Sequence, residues 1–374
     1  VSAAESPLRG LDLEPLSAAP AADERASSRA RLKAEAPEFV PPWPLRTIAV
    51  ILVVGVGALA NGVLAPVSAS GMIPGLSLRG LSFLVGAAIL VGGGVWLVLS
   101  RRAAWGRRLR LAVFAERNGF EFRPTDDSVY PGVVFQQGGG RRLENVLRRS
   151  GERVVEVGEF VFETGNEKNR RVHRRGYLLL QLDRRLPHIL LDARANNGLF
   201  GSNLPIGFNR SQILSLEGDF DRHFTLYCPS GYERDALYVF TPEVMAAFID
   251  SASHVDVEIV DDLLFVYVGD GLRLDDPHEW SRIGALVTAL WPKTAKQTAA
   301  YSDDRVSATV CGGGYPSAQG TGGGLGATPV LRERPTEVAD AGRRLRARVP
   351  VLTMVLSIAL TGAAVAFWVV RLAS

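Results

Sequence analysis

Three stretches break the otherwise mixed hydrophobic and polar pattern of this chain. Residues 47–67 (TIAVILVVGVGALANGVLAPV), 81–100 (LSFLVGAAILVGGGVWLVLS) and 350–370 (PVLTMVLSIALTGAAVAFWVV) contain no charged side chain. A helix crosses roughly 30 Å of hydrocarbon in about 20 such residues. A soluble core helix of that length normally carries charge on one face. The pattern therefore predicts three transmembrane helices. The first begins behind a polar tail and is followed at once by the second, which reads as a retained helix and not a cleaved signal. The connection 68–80, SASGMIPGLSLRG, is short and turn-rich, so the first two spans are expected to form an antiparallel hairpin. GVGALANG and GAAILVGGG would let helix backbones approach closely, on each other, on the third span or on a second copy. No ionisable residue lies inside a span, which argues against an ion pathway, proton relay or transporter core.

Between the second and third spans the period changes. AAWGRRLRLAVFAERNG (103–119) reads as an amphipathic helix ending at Gly119. Strand patterns follow at 154–164, 176–182, 188–193 and 236–241. PEVMAAFIDSA reads as a helix with Pro242 in its first turn. VDVEIV (255–260) and LLFVYVG (263–269) read as a hairpin turning at Asp261-Asp262. A last helix is expected over roughly 276–298. The predicted class is a membrane protein with three transmembrane α-helices and a cytoplasmic α+β domain built on a mainly antiparallel sheet. The expected layout is a disordered cytoplasmic tail (1–45), a membrane hairpin (46–100), the α+β domain (101–310), a Gly-rich linker with a basic juxtamembrane segment (311–348), and the third span (349–371).

Charge orients this layout. Arg101, Arg102, Arg107, Arg108 and Arg110 follow the second span, and Arg343, Arg344, Arg346 and Arg348 precede the third. Arg29, Arg31, Lys33 and Arg46 lie before the first, while the hairpin loop holds only Arg79. The positive-inside rule puts these clusters, the N-terminus and the main domain in the cytoplasm and the C-terminus outside. The arginines flanking the second and third spans are expected to face anionic lipid headgroups. Only four lysines accompany the many arginines, and with abundant Ala, Gly and Val this suits a GC-rich bacterial genome, hence a bacterial inner membrane. Within the domain, residues 101–185 carry net +8 and residues 186–310 net −9. NRRVHRRG (169–176) is the densest basic patch; without an aromatic platform it reads as a solvated or lipid-facing surface, and no nucleic-acid partner is expected.

LEGDFDRHFTLYCPSGYERDALYVFTP (216–242) is the stretch richest in candidate chemistry. Glu217, Asp219, Asp221 and His223 alternate with Leu216, Phe220, Phe224 and Leu226, the pattern of a half-buried strand with one wet face. Neighbours on such a face stand about 6.6–6.8 Å apart, so a metal site would need ligands from elsewhere, with Asp192, His188, Glu233 or Asp235 as candidates. The preferred reading is a solvated strand without cofactor. The alternative is a membrane-tethered, metal-dependent hydrolase that uses Asp219, Asp221 and His223 as ligands and Glu217 with them in catalysis. Cys228 and Cys311 sit in no metal-ligand spacing and read as reduced thiols. No HExxH, GxSxG, P-loop or helix-opening GxGxxG is present.

Leu216-Glu217, Phe220, Phe224, Tyr227, Phe240-Thr241-Pro242 and Met245 resemble a run found in a family of uncharacterised bacterial membrane proteins, a domain of unknown function. The resemblance covers residues 175–270, and GYLLLQLDRRLPHILLDARANN looks typical of a related actinobacterial group. It implies a membrane hairpin with a cytoplasmic α+β domain and carries no activity with it. Together these readings predict a non-enzymatic interaction or scaffold module, with lipids, protein partners or a second copy as its contacts.

Overall fold

A computed structural model describes residues 6–17, 26, 30, 45–64, 78–166, 169–196, 208–216, 218–269, 271–303, 305 and 338–346. The chain divides into two compact units, residues 12–124 with 275–277, and residues 1–11 with 125–274 and 278–374.

The first unit is helical, with α1 (Glu14–Ser17), α2 (Leu45–Leu64) and α3 (Leu78–Arg117). The predicted second span and the predicted amphipathic helix are one rod of 40 residues, about 60 Å long. No proline interrupts it, so nothing ends the helix where its surface turns from apolar to arginine-rich. Among the described residues one helix, Gly80–Arg117, is long and apolar enough to cross a membrane, and α2 holds a shorter apolar run, Thr47–Asn61. The third predicted span and the glycine-rich stretch 311–337 lie outside the described residues.

Glycine sets the approach of α2 to α3. A Cβ on Gly86 would stand 2.7 Å from the Leu59 amide nitrogen and 2.9 Å from the Gly55 carbonyl oxygen. A Cβ on Gly93 would stand 2.8 Å from Ile51 Cγ2, and one on Gly55 2.5 Å from Leu90 Cδ2. Positions 51, 55 and 59 thus meet 93, 90 and 86 in reverse order, the antiparallel pairing expected from the short connection 68–80, and of the partners open to the small-residue runs they face each other. The far end of α3 closes at Gly119, where φ is +69°. The Phe120 amide donates to the Ala115 carbonyl at 2.8 Å, and Phe120 stacks on Phe114 with ring centroids 6.2 Å apart. That is a Schellman ending with its apolar contact, and it needs the left-handed residue that Gly119 supplies.

Part of the tail predicted to be disordered is ordered. The Asp12 amide donates to Asn118 Oδ1, and Arg117 pairs with both Asp12 and Glu14. In the second unit Leu8 is buried and Thr288 donates its hydroxyl to Ser6 at 3.1 Å. Sparse leucines in a polar tail are enough to seat a short peptide when polar partners also meet it.

β1 (Glu121–Asp126) spans the boundary between the units, and the second unit is built on a sheet of β2 (Gly139–Arg149), β3 (Val155–Thr164), β4 (Arg171–Ala193), β5 (Ile213–Leu214), β6 (Phe224–Tyr227) and β7 (Asp256–Val268), in the order β2-β3-β4-β6-β5 with β7 also paired to β4. The pairs β2–β3, β3–β4, β4–β6, β4–β7 and β5–β6 are all antiparallel. On one face Tyr130, Val134 and Phe135 pack on Phe160, Tyr177, Leu179, Phe265 and Tyr267. On the other, Phe248 of α6 (Pro242–Ala252) and Val287, Leu290 and Trp291 of α7 (Pro277–Ala299) meet Leu178, Leu180, Leu264 and Val266.

Three sequence expectations are corrected here. Residues 255–269 form no hairpin: β7 runs straight through Asp261-Asp262 beside the 23-residue β4, which replaces the two strands predicted at 176–182 and 188–193. Asp261 takes φ +55° where the register slips, and the extra residues of that bulge lie on β4 between Gln181 and Ile189, opposite aspartates that make no turn. Residues 236–239 are helical, within α5 (Glu233–Val239), with Ala236, Val239 and Phe240 buried and Leu237 and Tyr238 exposed. That is helical spacing, and Glu233 and Asp235 favour the helix N-terminus. Residues 220–223 form the helical turn α4 (Phe220–His223), not a strand. Phe220 and Phe224 stack 5.1 Å apart, and a separation of four serves a helix as well as an alternation.

Candidate functional site

The opening candidate does not assemble. Asp219 is exposed, and its carbonyl accepts from the Arg222 amide at 2.9 Å. Asp221 folds back on its own loop, accepting from the Leu216 amide at 3.1 Å and from the Ser215 hydroxyl. His223 ends the turn, and Glu217 lies outside the described residues. Among the described residues no three His, Cys, Asp or Glu side chains gather where they could hold a metal ion. Of the proposed supplementary ligands, Asp235 meets Arg305 and Tyr301, His188 meets Glu258, and Glu233 accepts from the Gly231 amide at 3.0 Å. Cys228 is buried, and burial, helped by Glu233 and Asp235, pushes its thiol up to about 12. It is therefore a protonated thiol at neutral pH, not a nucleophile. Cys311 lies outside the described residues.

The buried polar chemistry lies instead beneath the segment 130–135. Glu156 of β3 is fully buried and accepts from the Tyr130 hydroxyl at 2.9 Å, the Tyr177 hydroxyl at 2.5 Å and Arg148 Nε. Arg148 also donates to the Tyr130 oxygen at 2.8 Å. Burial opposes the Arg148 charge, but Glu156 more than offsets it, and the guanidinium is held above its usual value. Burial pushes the Tyr130 and Tyr177 phenols up, with the Glu156 charge adding to it. A second web surrounds Glu258 of β7, which accepts from the Val133 amide at 2.9 Å, the Tyr267 hydroxyl at 2.6 Å and His188 Nε2 at 2.6 Å. The Leu345 amide donates to His188 Nδ1 at 3.0 Å, which fixes the tautomer that carries its hydrogen on Nε2. Sequence reading passed over both webs. Their signal was a glutamate at an inward position of an apolar strand, Glu156 in VVEVGEF and Glu258 in VDVEIV.

Leu345 belongs to a strap, Val338–Arg346, that lies across this unit. Val338 is buried, and the Ala339 amide donates to Asp303 at 3.0 Å. The Tyr232 hydroxyl donates to the same carboxylate at 3.0 Å. Gly342 lies directly on the Tyr232 ring, where a side chain would collide. Arg344 grips Asp261 through both nitrogens at 2.9 and 3.2 Å. Gln212 clasps the Arg346 backbone twice, each time at 2.8 Å.

The arginines predicted to face lipid divide accordingly. Arg343 pairs with Asp340 at 3.3 Å and Arg344 with Asp261, while Arg348 lies outside the described residues. Arg102 and Arg107 are exposed on α3, which also carries Arg101 and Arg108, and Arg110 meets Asp275 at 3.3 Å. In the patch 169–176, Arg174 pairs with Glu144 at 2.5 Å and Arg170 with Glu163, so its charge is partly neutralised by acids on β2 and β3.

Comparison with known protein families gives no match, and comparison with curated proteins gives none. Among solved structures, the crystal structure of the mycobacterial trehalose monomycolate transport factor A, TtfA, is similar at 13% identity and TM-score 0.28, covering 48% of this chain and 93% of that one. A likeness this low bears on neither fold nor function.

Proposed function

We propose that this chain is an inner-membrane protein of a bacterium whose sheet unit is a non-enzymatic interaction or scaffold module in the cytoplasm. The α2–α3 pair is its first anchor, with the N-terminus inside. The run 350–370 is its second, with the C-terminus outside. Arg101, Arg102, Arg107 and Arg108 meet anionic headgroups where α3 leaves the bilayer. The observation that carries this reading is the docked strap. Arg346 is four positions before Pro350, where the apolar run begins. Four extended residues reach about 14 Å at most, so the unit is fastened close to the lipid surface. The internal bonding of Glu156, Glu258 and His188 supports a non-enzymatic role, because each side chain with catalytic potential there already meets a partner within the protein.

The test is turnover. Purified full-length protein, given esters, phosphoesters and peptides with Zn²⁺, Mn²⁺ or Mg²⁺, is expected to hydrolyse none above the metal-only rate. Metal-dependent turnover that is lost on His223→Ala would establish the hydrolase instead.

A further inference from the structure

The strap Val338–Arg346 is joined to the sheet unit in the way a bound peptide is. Its backbone makes most of the contacts. The Ala339 amide donates to Asp303 and the Leu345 amide to His188 Nδ1, each at 3.0 Å. The Arg346 amide donates to Gln212 Oε1 and its carbonyl accepts from Gln212 Nε2, each at 2.8 Å. The Ala339 carbonyl accepts from the Tyr232 hydroxyl at 3.4 Å. Within the strap only Val338 and Gly342 are buried, and Arg343 turns back to Asp340.

The floor beneath it is polar. Tyr232, Asp303, His188 and Gln212 are buried, and each meets the strap through a polar atom. Such a floor exchanges one peptide backbone for another, or for water, with every polar group still partnered. An apolar floor would be left wet at a cost proportional to its area. Backbone pairing reads no sequence, but two positions do. Gly342 lies on the Tyr232 ring, where any side chain collides, so that place takes glycine. Two residues on, Asp261 calls for a planar cation, and Arg344 meets it with two nitrogens at 2.9 and 3.2 Å.

We propose that the groove under the strap is a peptide-binding site, with the strap as its resident, autoinhibitory occupant. Its partner is an extended segment of another protein that carries Gly-x-Arg and pairs through its backbone. This rests on the reading of the unit as an interaction module and assigns that module its binding site. A segment that displaces the strap also frees the unit from its fastening beside residue 350.

The test uses the full chain in detergent micelles and the peptide Val338–Arg346, carrying fluorescein at its N-terminus, followed by fluorescence anisotropy. In the chain, Gly342→Leu drives the strap off the Tyr232 ring and Arg344→Glu repels it from Asp261, so both open the groove. Each opened chain is expected to bind the peptide at least tenfold more tightly than the unmodified chain, whose own strap competes at high effective concentration. A peptide bearing Gly342→Leu should bind the opened chains at least tenfold more weakly. No binding by the opened chains, equal binding by opened and unmodified chains, or equal binding of the two peptides overturns the proposal. If near-ultraviolet circular dichroism shows that neither variant folds, the unmodified chain decides. At millimolar concentration it should bind the unaltered peptide saturably and not the Gly342→Leu peptide, and absence of that difference is equally fatal. Metal-dependent turnover and a failed peptide titration are separate outcomes: the first removes the interaction-module reading, the second removes this site alone.

Discussion

Asp256 shows what burial does to a carboxylate in this sheet. It sits at the start of β7, accepting from the Ala193 amide at 2.9 Å and from Asn196 at 3.0 Å. Burial raises it from 3.8 to about 6, opposed by those two hydrogen bonds and aided by the nearby Asp192 charge. Because the folded-state value is the higher one, protonation favours folding. The contribution is complete below pH 3.8 and is lost as pH rises through about 6. Asp256→Asn keeps the accepting oxygen and removes the charge. In urea unfolding of the detergent-solubilised chain, it is expected to match the unmodified protein near pH 4 and to exceed it at pH 8 by on the order of 3 kcal/mol. Equal stability at pH 8 would contradict the burial argument. Glu156 and Arg148 pose the opposite case, since removing either alone strands a buried charge, a loss of about 3–5 kcal/mol. None of these roles was legible from the sequence. A glutamate in an apolar strand reads the same whether it meets water or a buried arginine, and only pairing across three strands tells them apart.

Periodicity decided which elements were readable. The helices Pro242–Ala252 and Pro277–Ala299 follow from patterns long enough to read, and of the sheet the sequence showed the mainly antiparallel class but not the strand bounds. The short segments were not readable. Leu216, Phe220 and Phe224 fit a strand and a helical turn equally. Asp261-Asp262 reads as a turn unless a partner strand as long as β4 is already known. The helix pair was legible as a hairpin from the short connection 68–80, while the glycine runs left three partners open until Gly55, Gly86 and Gly93 were seen to meet the other helix. Ile51→Cys with Gly93→Cys, in a background lacking Cys228 and Cys311, is expected to form an intramolecular disulfide on mild oxidation. Ile51→Cys with Gly94→Cys, whose Cβ would face open space, should not. Equal cross-linking of both pairs would show that the glycine seam does not set the register.

At the scale of the whole molecule, the apolar runs and the arginines beside them carry the reading. Segments without ionised groups partition into lipid, and guanidinium-rich flanks stay with the cytoplasmic leaflet. The strap Val338–Arg346 adds what the sequence did not disclose. A stretch that reads as linker holds Asp303, Asp261, His188 and Gln212 through its backbone and one arginine. Its glycine and alanines carry little hydrophobic signal, and its partners are distant in sequence, so no local pattern announces it. The most direct measurement is cysteine accessibility in intact bacterial cells with a membrane-impermeant maleimide, again without Cys228 and Cys311. Arg222→Cys on the sheet unit is expected to stay unlabelled until the cells are lysed, and Ala373→Cys to label at once. Labelling of Arg222→Cys in intact cells, or recovery of the chain from the aqueous fraction without detergent, would contradict a cytoplasmic module held at the membrane.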